Sequence, residues 1–72
     1  MNIITVFLIE PATLRLSFAY DPAINERIKT LPGWDWNKKQ RIWTVPLSSL
    51  DRLIGEFGDQ LAIDPDVVMA AN

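Results

Sequence analysis

The sequence predicts an α+β fold: a small curved antiparallel or mixed sheet built from two ββα units, with two helices packed on one face. Three observations lead there. Runs that are β-branched or strictly alternating, Ile3–Ile9, Leu14–Tyr20, Trp34–Trp36 and Arg41–Val45, have strand periodicity. Two other runs, opened by Asp21-Pro22 and by Ser48-Ser49, carry apolar residues at helical spacing. The order strand, strand, helix then occurs twice, in residues 3–31 and 34–57, as a weak structural repeat or as a chance recurrence of common elements.

The segment Ile3–Ile9 is short and rich in β-branched side chains, which fits a strand buried on much of both faces. Glu10 to Thr13 interrupt it. From Leu14 the chain alternates, with Leu14, Leu16, Phe18 and Tyr20 on one side and Arg15, Ser17 and Ala19 on the other. So short a connection makes an antiparallel hairpin, and Pro11 excludes a tight Asn-Gly turn. Asp21 can cap orphan N–H groups and Pro22 is preset for the first helical position. Ile24, Ile28 and Leu31 then form one apolar face, which Pro32-Gly33 ends.

Trp34–Trp36 and Arg41–Val45 flank the polar Asn37–Gln40, a second hairpin whose parity sets Trp36 and Trp43 on one face as a cross-strand pair. Ser48 to Asp51 resembles a capping box with Asp in place of Glu, opening a helix with Leu47, Leu50, Leu53, Ile54 and Phe57 on one side. Gly58 is placed to terminate it. Leu61–Ile63 can add a short fifth strand at an edge, and Asp64-Pro65 repeats the helix start. The domain is expected over residues 1–63, with 64–72 a terminal helix or the start of a linker to a following domain. Its expected core is Leu16, Phe18, Ile28, Trp36, Trp43, Leu50, Ile54 and Phe57.

At 72 residues there is room for one domain, near the size at which a single core barely suffices. Hydrophobic residues make up 49% and charged residues 22%, a composition that folds. With no Cys and no His, thiol and imidazole catalysis, disulfides and ordinary zinc sites are excluded. Capping accounts for Asp21 and Asp64, and Asp59, Asp64 and Asp66 lack the Gly and terminal Glu of an EF-hand loop. The chain therefore reads as a non-enzyme without cofactor or metal. No apolar run approaches the ~18 residues of a membrane span, and Met1-Asn2 is no basic leader, so a cytoplasmic monomer without membrane partner is expected.

Charge is distributed unevenly. Residues 1–26 carry −2, residues 27–41 carry +4, residues 42–50 carry none and residues 51–72 carry −4. The whole is acidic, so any nucleic-acid contact must be local and weak, centred on residues 27–41.

From Leu14 to Val45 the order is an alternating strand, Tyr20-Asp21-Pro22 opening a helix, Leu31-Pro32-Gly33, Trp36, a polar turn, Trp43 and Val45-Pro46. This order resembles the small HARP-like domain, named for HepA-related proteins, that precedes the motor in certain Swi/Snf-type and UvsW-type DNA helicases and translocases. The resemblance covers about residues 14–60, and the two-Trp spacing between Pro-Gly and Val-Pro is its most specific part. It implies a non-catalytic accessory module that binds single-stranded or branched DNA weakly, without sequence specificity, beside an ATPase motor in the same chain or in trans. The different-class alternative is a protein-interaction module that docks on its motor or on a replication or repair partner. One departure bears on affinity: where relatives often carry basic residues before the first motif Trp, this chain has Trp34 and Asp35.

The residues expected to meet nucleic acid are Arg15, Arg27, Trp34, Lys38, Lys39, Gln40 and Arg41. Lys38 to Arg41 are phosphate contacts or simply a solvated hairpin tip. Arg15, Arg27 and Lys29 extend that patch if the fold brings them to it. Trp36 and Trp43 share a face with Val45 and are assigned to the core rather than to base stacking; Trp34, at the sheet margin, fits either exposure or the core.

Overall fold

Alternation becomes two hairpins joined edge to edge. The computed structural model describes residues 2–72. Strand β1 (Ile4–Ile9) turns at Glu10–Ala12 into β2 (Thr13–Ser17), antiparallel, with Val6 opposite Leu16 and Leu8 opposite Leu14. Helix α1 (Pro22–Ile28) follows, then β3 (Asp35–Asn37) and β4 (Ile42–Pro46) form the second hairpin. Strand β4 pairs antiparallel with β2, Leu16 facing Trp43 and Leu14 facing Val45. After helix α2 (Leu50–Phe57), β5 (Leu61–Ile63) joins the free side of β1 in parallel, and helix α3 (Pro65–Ala71) follows it. The described residues form a five-stranded mixed sheet in the order β3-β4-β2-β1-β5, with the two expected helices and a third, α3, within residues 64–72, where a terminal helix was one of two expectations.

The period of two settles which face is covered. Ile63, Val6, Leu16, Trp43 and Trp36 form one row across all five strands. Beneath them Ile24 and Ile28 of α1, Leu53 and Phe57 of α2 and Val67 of α3 complete a single core with Ile4, Leu14, Leu31 and Val45. Apolar burial of this kind supplies most of the stability of so small a domain. The opposite face carries no helix among the described residues, so Ile3, Phe7 and Ile9 stay exposed. The expectation that β1 is buried on both faces is therefore wrong: its β-branched run reflects strand propensity on the open side and packing only on the other.

Other expected core members shift for geometric reasons. Leu16, Ile28, Trp43 and Phe57 are buried, and Phe18 and Leu50 are half-buried at the core margin. Trp36 has the predicted parity but is 36% exposed, because β3 is a three-residue edge strand whose residues are all exposed. Ile54 is exposed as well. Leu50, Leu53 and Phe57 define the inward stripe of α2, and Ile54 lies one residue, about 100° around the helix, from its centre. Tyr20 leaves the alternating pattern because β2 ends at Ser17, where the chain turns to cap α1.

Local chemistry fixes the elements. The Asp21 carboxylate accepts from the Ala23 N–H at 3.0 Å and the Asp64 carboxylate from the Asp66 N–H at 2.9 Å, each ahead of a proline, as the sequence predicts. The proposed capping box does not form. A 3₁₀ turn at Leu47–Ser49 precedes α2, and the buried Ser49 hydroxyl donates instead to the Pro32 carbonyl at 2.7 Å, tying α2 to the Pro32-Gly33 loop. Gly58 ends α2 at φ +52°, a conformation glycine adopts without a Cβ penalty. In α3, Val67 is buried while Val68 and Met69 face outward.

Candidate nucleic-acid interface

Because Leu16 faces Trp43, the end of β2 lies beside the start of β4, and the sheet corner there opens into a cleft of about 850 Å³. Five aromatic rings line it: Phe18, Tyr20, Trp34, Trp36 and Trp43. Four cations do too: Arg15 from β2, Lys29 just beyond α1, and Lys38 and Arg41 from the β3–β4 turn. Among the lining residues none is Asp or Glu. Asp35 neighbours two of the tryptophans in sequence and is absent from the lining; it shares a cross-strand row with Thr44 and Arg15, on the sheet face opposite Trp36.

The indoles form a built surface. Trp43, only 8% exposed, is the floor. Trp36 leans on it from the neighbouring strand, centroids 4.8 Å apart at 39°, and Trp34 from the loop before that strand, 5.9 Å at 52°. Such tilted pairs within 7 Å are favourable ring geometries. Trp34 and Trp36 remain 41% and 36% exposed, so the question left open for Trp34 resolves to a half-exposed ring, and Trp36 joins it at the surface. Tyr20, 83% exposed, borders the same cleft.

The turn that presents the cations is internally braced. Asn37 Oδ1 accepts from the N–H groups of Lys39 and Gln40, each at 3.0 Å, and its carbonyl accepts from the Arg41 N–H at 2.7 Å. Arg41 sits at φ +55°, in the left-handed region where a side chain costs on the order of 1 kcal/mol. Lys38 and Arg41 reach the cleft, while Lys39 and Gln40 stand at the exposed tip outside it. Lys29 also pairs with Glu26 at 3.0 Å, an exposed contact.

Arg27 belongs elsewhere. Its Nε donates to Glu56 Oε1 at 3.0 Å, its Nη2 to the Glu56 carbonyl and its Nη1 to Gln60 Oε1, and the guanidinium lies 4.4 Å from the Phe57 ring centroid. This bracket joins α1 to the end of α2 and removes Arg27 from the expected interface. Its sequence position, beside Ile28 at the border of the apolar face, was the available signal; counting it with the basic segment obscured it. Replacement of Arg27 by Ala is expected to lower stability by about 1 kcal/mol, the scale of a half-exposed ion pair with a cation–π contact, and to leave oligonucleotide affinity unchanged. Urea melts and parallel titrations check both halves.

Sequence reasoning assigned Phe18 and Trp36 to the core and gave Tyr20 no role at the site, whereas all three line the cleft; Lys29, expected to extend the patch if the fold allowed it, lines the cleft too. Family models, curated proteins and solved structures were all compared with the chain, and none matches. No helix among the described residues is long and apolar enough to cross a membrane.

Proposed function

We propose that this chain is a non-catalytic accessory domain of a DNA helicase or translocase, HARP-like in kind, that binds DNA weakly and without sequence specificity through the aromatic and basic cleft. The observation that carries this reading is the convergence of four cations and two half-exposed indoles on one cleft with no carboxylate in its lining, in a chain of net charge −2. Arg and Lys on phosphates give affinity without sequence information. With so few contacts and an acidic remainder, binding belongs in the range of ~10⁻⁴ to 10⁻⁶ M typical of non-specific complexes. The order Tyr20-Asp21-Pro22, Pro32-Gly33, Trp36, Trp43 and Val45-Pro46 supports a role beside an ATPase motor, in the same chain or in trans, as a monomer in the cytoplasm.

A second reading, docking on that motor or another protein, is favoured by the open sheet face, where Ile3, Phe7 and Ile9 remain exposed. Salt separates the two, since phosphate contacts weaken steeply with added salt and an apolar contact does not.

The deciding variant combines Lys38→Ala, Lys39→Ala and Arg41→Gly. Relief of the positive φ at residue 41 is expected to keep stability at or above the starting value, while each phosphate contact removed flattens the salt slope by about 0.7. Titrations of single-stranded and forked DNA over a salt series read this out. Wild-type protein whose resonances ignore all such DNA at low salt would sink the nucleic-acid reading.

A further inference from the structure

Trp34 and Trp36 are more exposed than their size and the economy of a 72-residue core predict. Large aromatics dominate core energetics, and a domain without disulfides or metals has most to gain by burying them. Here one indole, Trp43, closes the core, and the other two rest on it with part of their surfaces open to the cleft. Because Trp43 holds both rings, a ligand that stacks on them meets a prearranged surface and loses little affinity to ordering side chains. Lys29, Lys38, Arg41 and Arg15 come from three separate regions of the fold around this pair, so a phosphate attached to a stacked group has a cation within the same cleft whichever way the strand runs.

We infer that the cleft is a stacking platform for unpaired nucleobases, one on Trp34 and one on Trp36, with the flanking phosphates held by the four cations. This deepens the proposed function and rests on it: nucleic acid is the ligand, and the inference names the part of it that is read. A duplex keeps its base faces inside its own stack and offers this cleft only phosphates, whereas a single strand or a frayed end offers both features the cleft presents. Base–aromatic stacking tolerates any sequence, which agrees with binding that is not sequence-specific. An aromatic groove also suits an extended proline-rich peptide, but four cations without a lining carboxylate favour a polyanion.

The test is an NMR and fluorescence titration of the whole chain with an oligodeoxyuridylate and an oligouridylate of about eight nucleotides, and with a blunt two-strand duplex of matched charge. Stacking predicts that the single strands move the Trp34 and Trp36 indole N–H resonances and quench emission, and that the duplex binds about tenfold more weakly with the indoles unmoved. Trp34→Leu is expected to weaken single-strand binding about tenfold without changing its salt slope, and Trp34→Phe to restore most of it. Trp34 is the chosen site because it lies outside the strand pairing that Trp36 belongs to, and the wild-type indole shifts test stacking without any variant. Equal binding of duplex and single strand with unmoved indoles, or Trp34→Leu binding like wild type, overturns the stacking platform and leaves phosphate binding standing. Failure of every oligonucleotide to bind overturns both readings, and an acidic proline-rich peptide that shifts the indoles in their place assigns the cleft to a peptide. Ribose and deoxyribose strands that bind alike support recognition through base and phosphate; discrimination beyond about tenfold overturns it in favour of a sugar-reading site.

Discussion

Replacing Trp43 by Ala is expected to unfold the protein at ordinary temperature. Trp43 stands between Leu16 and Trp36 in the row that crosses the sheet, buried to 8% exposure, and both other indoles lean on it. Truncating a buried Trp to Ala costs ~3 to 5 kcal/mol through lost transfer free energy and the cavity left behind. A domain of this size holds a total stability on the order of 5 kcal/mol. The cavity cannot collapse cheaply, because its walls are strand residues fixed in register on both sides. Near-UV circular dichroism and a urea melt measure the outcome. A Trp43→Ala protein with a cooperative transition within about 1 kcal/mol of wild type would show that the indole is not the floor of this core.

Patterns with a single physical cause were readable in the sequence. Asp21-Pro22 and Asp64-Pro65 start helices because cap and ring act within three residues, and the structure shows both caps. Strand parity likewise needs only the period of two, and Trp36 pairs with Trp43 as counted. What the pattern lacked was any statement of what covers a face. Parity set Trp36 on the core side, yet burial depended on β3 being a short edge strand, a property of the assembled sheet. The same gap explains Phe7 and Ile9, apolar and exposed on the open face. Polar side chains with distant partners were the hardest to place: Ser49, read only as an inner position of a capping box, bonds Pro32, and Arg27 looked like part of a basic segment and instead brackets Glu56 and Phe57. Of the expected interface, Arg15, Trp34, Lys38 and Arg41 line the cleft, Lys39 and Gln40 sit at its rim-side turn tip, and Arg27 faces away.

The loop before Trp34 gives the second large effect. Gly33 sits at φ +74°, and a Cβ there would fall 2.6 Å from Pro46 Cγ and 2.8 Å from Pro46 Cδ. Neither neighbour can yield easily: both atoms belong to a stiff ring, and Pro46 is held at the end of β4 opposite Thr13. The preceding carbonyl, that of Pro32, is pinned by the buried Ser49 hydroxyl. Gly33→Ala therefore combines the cost of a positive φ with an overlap that the loop must move to relieve, together ~2 to 4 kcal/mol. Trp34 is the next residue, so that movement pulls its indole from Trp43, and oligonucleotide binding should fall along with stability. Gly55→Ala is the matched control: it lies inside α2 at an ordinary φ, its new methyl group would have no neighbour within 4 Å, and it should raise stability by ~0.5 to 1 kcal/mol without touching the cleft. Thermal melts of the two variants, with the Trp34 indole resonance as a local reporter, separate a steric lock at residue 33 from a general tolerance of alanine. If Gly33→Ala melts with the wild type and its Trp34 resonance stays in place, the lock between the Pro32-Gly33 loop and Pro46 does not exist.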